Sequence, residues 1–259
     1  MHTKQEKMEA FGRLLDIMDD LRKGCPWDRK QTFDTLRHLT IEEVYELSDA
    51  ILDKNFDQIK EEAGDILLHL VFYGKLGEEQ GKFDMADIAD HISEKLIKRH
   101  PHIYGDVRVA DAEEVKRNWE KLKMKEGKKS VLEGVPRSLP AMIKAMRMQE
   151  KAAGVGFDWP DKASVWKKVE EEMAELKRAE EQNDPAAVED EFGDLLFSLI
   201  NYARFLGVNP ETALEKTNKK FKRRFEKIEA EAGKQGKKIH ELSMDEMDAV
   251  WNREKRDEH

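Results

Sequence analysis

The stretch Val188–Leu199 reads VEDEFGDLLFSL, and it sets four carboxylates at the head of a run apolar enough for a helix core. An earlier stretch, Ile59–Leu70, reads IKEEAGDILLHL and repeats the design. Working outward, residues 41–75 and 170–204 superpose without a gap at a shift of 129, since 172 − 43 = 129 and 194 − 65 = 129. Five acids coincide: Glu42/Glu171, Glu43/Glu172, Glu46/Glu175, Glu62/Glu191 and Asp65/Asp194. Gly64/Gly193, Leu47/Leu176, Leu67/Leu196, Leu70/Leu199 and Tyr73/Tyr202 coincide too. So long a repeat implies two similar domains in tandem, and two copies are too few for a solenoid.

Helical periodicity dominates the chain. Phe11, Leu14, Leu15, Met18 and Leu21 form one stripe before Gly24 and Pro26 break it. Further helical patterns fall near 36–53, 56–80, 84–99, 111–126, 163–182, 185–206, 210–232 and 243–255. Asp184-Pro185 reads as an N-cap followed by proline at the first helical position. No alternating β-branched run appears, so the expected fold class is all-α. The Lys-, Gly-, Ser- and Pro-rich segment 125–140 reads as a linker between domains 1–124 and 141–259.

Composition narrows the function. Of 259 residues, 39% are charged and 39% hydrophobic, with a formal net charge of −9. That acidic surplus argues against a binder of nucleic-acid polymers. One cysteine, Cys25, excludes an intramolecular disulfide, and it reads as structural. With no apolar run of membrane length and no signal-peptide pattern, the expected setting is the cytoplasm.

The acids carry the chemistry. On one helix Glu172 and Glu171 lie three and four residues before Glu175, so all three share a side; on the next, Glu191 and Asp194 are three apart. An αα-hairpin would bring the two groups face to face. Carboxylates at close range repel and lose hydration, a cost that a cation removes. Oxygen-only ligands point to a hard ion such as Mg²⁺, or Mn²⁺. The absence of a Glu-x-x-His pair in these blocks argues against a di-iron bundle, and no EF-hand pattern occurs. The acids adjoin Leu195, Leu196, Phe197 and Leu199, on a helix expected to be largely buried. Downstream, Lys220 and Arg224 are four apart with Asn218 near the same turn, a basic face suited to a polyphosphate. Trp251 is a candidate to stack on a base or to pack. A nucleotide-binding module without turnover, and a solvated acidic face without metal, are the alternatives these residues leave open.

The pattern Glu-Glu-x-x-Glu, then Glu-x-x-Asp, resembles the all-α nucleoside triphosphate pyrophosphohydrolases, and more narrowly their two-domain MazG type. CPWDRKQTFDTLRHLTIEEVYEL (25–47), KRHPHIYGDV (98–107), GVPRSLPAMIKAMRMQEKAAGVGFDW (134–159) and MDAVWNREKR (247–256) carry the likeness over nearly the whole chain. The resemblance implies Mg²⁺-dependent hydrolysis of a nucleoside triphosphate to monophosphate and pyrophosphate, in a nucleotide housecleaning role. It also implies a homodimer whose helices from two subunits build each four-helix site. Glu172, Glu175, Glu191 and Asp194 would hold the metal, with Glu171 beside it to orient or deprotonate water. Asn218, Lys220 and Arg224 would meet phosphate, with Trp251 near the base. The first copy would offer a second, weaker site at Glu43, Glu46, Glu62 and Asp65. There Ile97 stands for Asn218, Arg99 for Lys220 and Ile103 for Arg224, and Pro101 interrupts the helix. The C-terminal copy is therefore expected to carry the main activity.

Overall fold

The structure is a computed structural model that describes residues 1–109, 111, 115 and 130–257. The chain divides into two compact units, Met1–Ala110 and Asp111–His259. All described regular structure is helical. The helix expected near 111–126 lies almost wholly outside the described residues, as do 125–129 of the expected linker. Residues 131–139 of that linker form turns.

In the first unit, α1 (Lys4–Gly24) starts at a Thr3–Glu6 capping box, where each side chain satisfies the other residue's backbone N–H. α2 (Phe33–Leu52) and α3 (Phe56–Glu79) form a hairpin, with Thr32 and Asn55 as N-caps. α4 (Met85–Arg99) and the single turn α5 (Pro101–Tyr104) follow. The core gathers Met18 from α1, Leu36 from α2, and Val71, Phe72 and Leu76 from α3. Arg22 straps it, donating to Glu79 and to the backbone carbonyl of Asp28.

Gly77 lets the chain reverse tightly after α3. A Cβ there would sit 2.6 Å from both the carbonyl oxygen and the ring of Phe83. Gly77→Ala is expected to destabilise this unit by about 1–3 kcal/mol, since a backbone atom cannot yield as a side chain can. Gly12→Ala, with nothing within 4 Å, should instead gain up to ~1 kcal/mol of helix propensity. Thermal unfolding of the two variants checks this; equal melting shifts would contradict it.

In the second unit, α6 (Ala141–Ala153) packs on α8 (Pro185–Phe205), which pairs along its length with α7 (Lys162–Gln182). Asn183 closes the α7–α8 turn in the left-handed conformation, φ 55°, as asparagine tolerates. Asp184 then caps α8 through the N–H groups of Ala186 and Ala187, with Pro185 at the first position. α9 (Pro210–Lys234) and α10 (Met244–Asp257) meet over a second cluster of Ile228, Ala232, Leu242 and Val250. Among the described residues no helix is long and apolar enough to cross a membrane.

Candidate active site

The α7–α8 hairpin places Glu172 and Glu175, one turn apart, opposite Glu191. One carboxylate oxygen from each lies within 4.8 Å of the other two. The Glu172 side chain is only 5% exposed, whereas Glu175 and Glu191 are half-buried. Burial pushes the Glu191 carboxyl above its ordinary value, and Glu175, Glu172, Asp194 and Asp190 push the same way. The trio is also met by a cation that sequence reasoning missed. Lys168, one turn before Glu172 on α7, sets its Nζ 2.6 Å from Glu172 and 2.9 Å from Glu171, and both hydrogen bonds raise its pKa. The i, i+3 and i, i+4 spacing was there to find it.

The first unit repeats the arrangement at Glu43, Glu46 and Glu62, where one oxygen from each again lies within 4.8 Å of the other two. Glu43 is raised by burial, then by Asp65, Glu46, Glu62 and Glu42; Glu62 is raised by burial, then mainly by Glu46. Leu39 stands where Lys168 does, since 168 − 129 = 39. His69, one turn beyond Asp65, is buried, and its Nδ1 has no partner among the described residues; burial lowers its pKa. Sequence reasoning missed it, and Ser198 stands at its place in the repeat.

These raised carboxyls give a pH test. Their folded pKa values exceed the unfolded ones, so the folded state takes up protons more readily, and their destabilising effect fades as pH falls from neutrality into the carboxylate range. A divalent cation relieves the same repulsion. Mg²⁺ is therefore expected to raise the melting temperature more at neutral pH than at about pH 5. Equal increments at both would contradict mutual repulsion within the trios.

The remaining residues are placed less compactly. Asp194 is exposed and acts on Glu191 through its charge rather than as a member of the trio; Asp65, half-buried, acts on Glu43 through its charge in the same way. Glu171 and Glu42 are exposed. On α9, Asn218 donates to Glu215 at 3.1 Å and Lys220 is exposed. Arg224 is buried with its guanidinium 5.3 Å from the Trp251 ring centre, and the Phe221 ring meets the same indole at a 60° tilt, centroids 5.3 Å apart. The expected burial of the acid-bearing helix needs correction. Within one chain only Ser198 and Ile200 of α8 are buried, while Phe192, Leu196, Phe197 and Leu199 are exposed. α7 pairs along it, and α6 and α9 touch it over shorter stretches, which leaves part of its circumference uncovered.

Fold and site together define an all-α protein with two helical hairpins, each holding a carboxylate trio fit for a hard cation. Residues 31–104 and 161–228 both match the MazG nucleotide pyrophosphohydrolase domain. The chain is 42% identical over 260 residues to the nucleoside triphosphate pyrophosphohydrolase of Escherichia coli (strain K12), covering 97% of this chain and 99% of that one. It is 45% identical over 250 residues to the nucleoside triphosphate pyrophosphohydrolase/pyrophosphatase MazG of Thermotoga maritima, covering 95% of each. A Bacillus subtilis protein, YabN, is 43% identical over 263 residues, although the chain spans only 54% of its length. The chain belongs to the MazG family.

Proposed function

We propose that the protein hydrolyses nucleoside triphosphates, ribo- and deoxyribo-, to the monophosphate and pyrophosphate, as a housecleaning enzyme of the cytoplasmic nucleotide pool. The observation that carries this reading is the C-terminal trio: three carboxylates from two helices, one of them almost wholly buried, within 4.8 Å of one another. Their charge repulsion and all-oxygen donor set suit Mg²⁺, or Mn²⁺ in its place. Full-length similarity to relatives named for this activity supports the same reading.

Glu172, Glu175 and Glu191 would hold the cation, with Asp194 supplying a further oxygen from the next turn of α8. The metal, when bound, supplies a water of lowered pKa and positive charge near the leaving pyrophosphate. Glu171, exposed beside the trio, would orient the attacking water or accept its proton. Lys220 and Arg224 would bind phosphate oxygens, with Asn218 on the same helix. Trp251, whose ring lies against Arg224, would sit near the base. The trio at Glu43, Glu46 and Glu62, with Asp65 beside it, would be a second metal site of low activity.

The working unit in this reading is a homodimer in which helices of two subunits complete each four-helix site. The apolar side chains exposed beside the acids, Leu196 and Leu199 in one unit and Leu67 and Leu70 in the other, support it, since such surfaces are favoured under cover. Light scattering should give twice the chain mass; a monomer at assay concentration would contradict the dimer. For the reaction, the protein is incubated with each common NTP and dNTP plus Mg²⁺. Pyrophosphate with the matching monophosphate, abolished by EDTA, is expected. Orthophosphate as first product would overturn the assignment. Nucleotide-dependent stabilisation without any product would favour a binding module.

A further inference from the structure

The two trios are built from corresponding glutamates, yet the charges around them differ. In the second unit basic side chains hold the acids. Lys168 lies 2.6 Å from Glu172 and 2.9 Å from Glu171, and Arg178 lies 3.0 Å from Glu175. The Arg178 pair is open to solvent and therefore weak, whereas Lys168 meets a Glu172 side chain that is only 5% exposed, where screening is poor. At the shift of 129, Leu39 stands for Lys168 and Asp49 for Arg178. Among the described residues no basic side chain pairs with Glu43, Glu46, Glu62 or Asp65, and the charges that act most on Glu43 are those of Asp65, Glu46, Glu62 and Glu42. The first unit thus keeps the repulsion and lacks the compensation.

A second observation points into the same site. His69 follows Glu62 by seven residues and Asp65 by four, so the three share one stripe of α3. Helical side chains lean toward the helix N-terminus, which turns the imidazole toward Asp65, and the Asp65 charge acts on the ring. His69 is 7% exposed, and its buried Nδ1 has no hydrogen-bond partner. A buried polar atom left unmade is costly, and native proteins seldom keep one without a use. Carboxylates and imidazoles that surround a metal are steadied by such outer hydrogen bonds. The second unit has Ser198 at this place.

We propose that the first unit's trio is the resident divalent-cation site of the protein, filled without nucleotide, with an N–H of His69 holding Asp65 toward the ion, while the C-terminal trio fills only together with nucleotide. In the second unit an ion entering alone must displace Lys168 from Glu172 or sit beside its charge. A triphosphate brings negative charge that offsets the added ion. In the first unit no such competitor stands at the acids, so the ion relieves their repulsion at no cost. Affinity and turnover then run in opposite directions: the unit without a basic face for phosphates holds its ion more tightly. The inference rests on the proposed reading of both trios as metal sites.

The test uses Mn²⁺ alone, whose free aqueous ion is counted by its six-line electron paramagnetic resonance signal. Titration of the full chain without nucleotide should show one site per chain, at least tenfold tighter than any other. Glu43→Gln should abolish it, and Glu172→Gln should leave it unchanged. His69→Leu should weaken it about tenfold or more, and His69→Gln, which keeps an N–H donor, should restore most of that loss. Lys168→Met should add a second tight site. Circular dichroism and melting confirm that each variant is folded; should Lys168→Met fail to fold, the contrast of Glu43→Gln with Glu172→Gln still decides. Two equal sites in the wild type, a tight site lost in Glu172→Gln but kept in Glu43→Gln, or no nucleotide-free binding at millimolar Mn²⁺ would overturn the proposal. Wild-type affinity in His69→Leu would remove the part given to His69. The two readings fail separately: pyrophosphate release without a tight nucleotide-free site removes this inference alone, and a tight site without pyrophosphate from any nucleotide removes the hydrolysis.

Discussion

Glu172→Gln is expected to lower pyrophosphate release by at least about a hundredfold, the scale on which a single charge-stabilising group matters in an active site. Glu172 is the most buried member of the trio, and it meets both Lys168, at 2.6 Å, and the other two carboxylates. Glutamine keeps the shape but gives up the charge, so it would hold a cation poorly. The helical fold should survive, because Lys168 retains Glu171 at 2.9 Å. Circular dichroism and melting of the variant separate loss of chemistry from loss of fold. A near-normal kcat in a folded variant would remove the carboxylates from the mechanism.

The second large effect is a contrast between the repeats. Asp194→Asn should cost about a hundredfold or more, whereas Asp65→Asn should change turnover by no more than about threefold. Each aspartate stands beside its own trio, and each contributes charge to it. The difference lies around them. The second unit adds Lys168 on the acids and the basic face of Lys220 and Arg224; the first has Leu39, Ile97 and Ile103 at the matching places, with Pro101 starting a separate short helix after Arg99. A trio without groups for the phosphates can hold a cation and still turn over slowly. Steady-state rates of the two variants decide the matter, and equal losses would contradict the asymmetry.

The helices were legible because their signals are local. Apolar stripes, Thr and Asp caps, and proline at the first position place α2, α3, α7, α8 and α9 within about three residues of their observed ends. The hairpin pairing of the acids was legible because the same spacing occurs twice, and a turn of Asn183-Asp184-Pro185 leaves the chain little choice but to reverse. Burial was not legible. Leu196 and Leu199 read as core by composition, yet they face outward in one chain, because a stripe shows that a surface needs cover and not what supplies it. Arg224 read as part of a basic face, and its burial against Trp251 is a contact between helices whose relative placement no spacing encodes.

The most direct test of the central claim is hydrolysis of a nucleoside triphosphate in water labelled with heavy oxygen, in the presence of Mg²⁺, with the products separated and weighed by mass spectrometry. The account predicts that the label enters the monophosphate and that the pyrophosphate stays light, since water attacks the α-phosphorus at the carboxylates of α7 and α8. Label in pyrophosphate, or in orthophosphate, would place the attack on another phosphorus and contradict it.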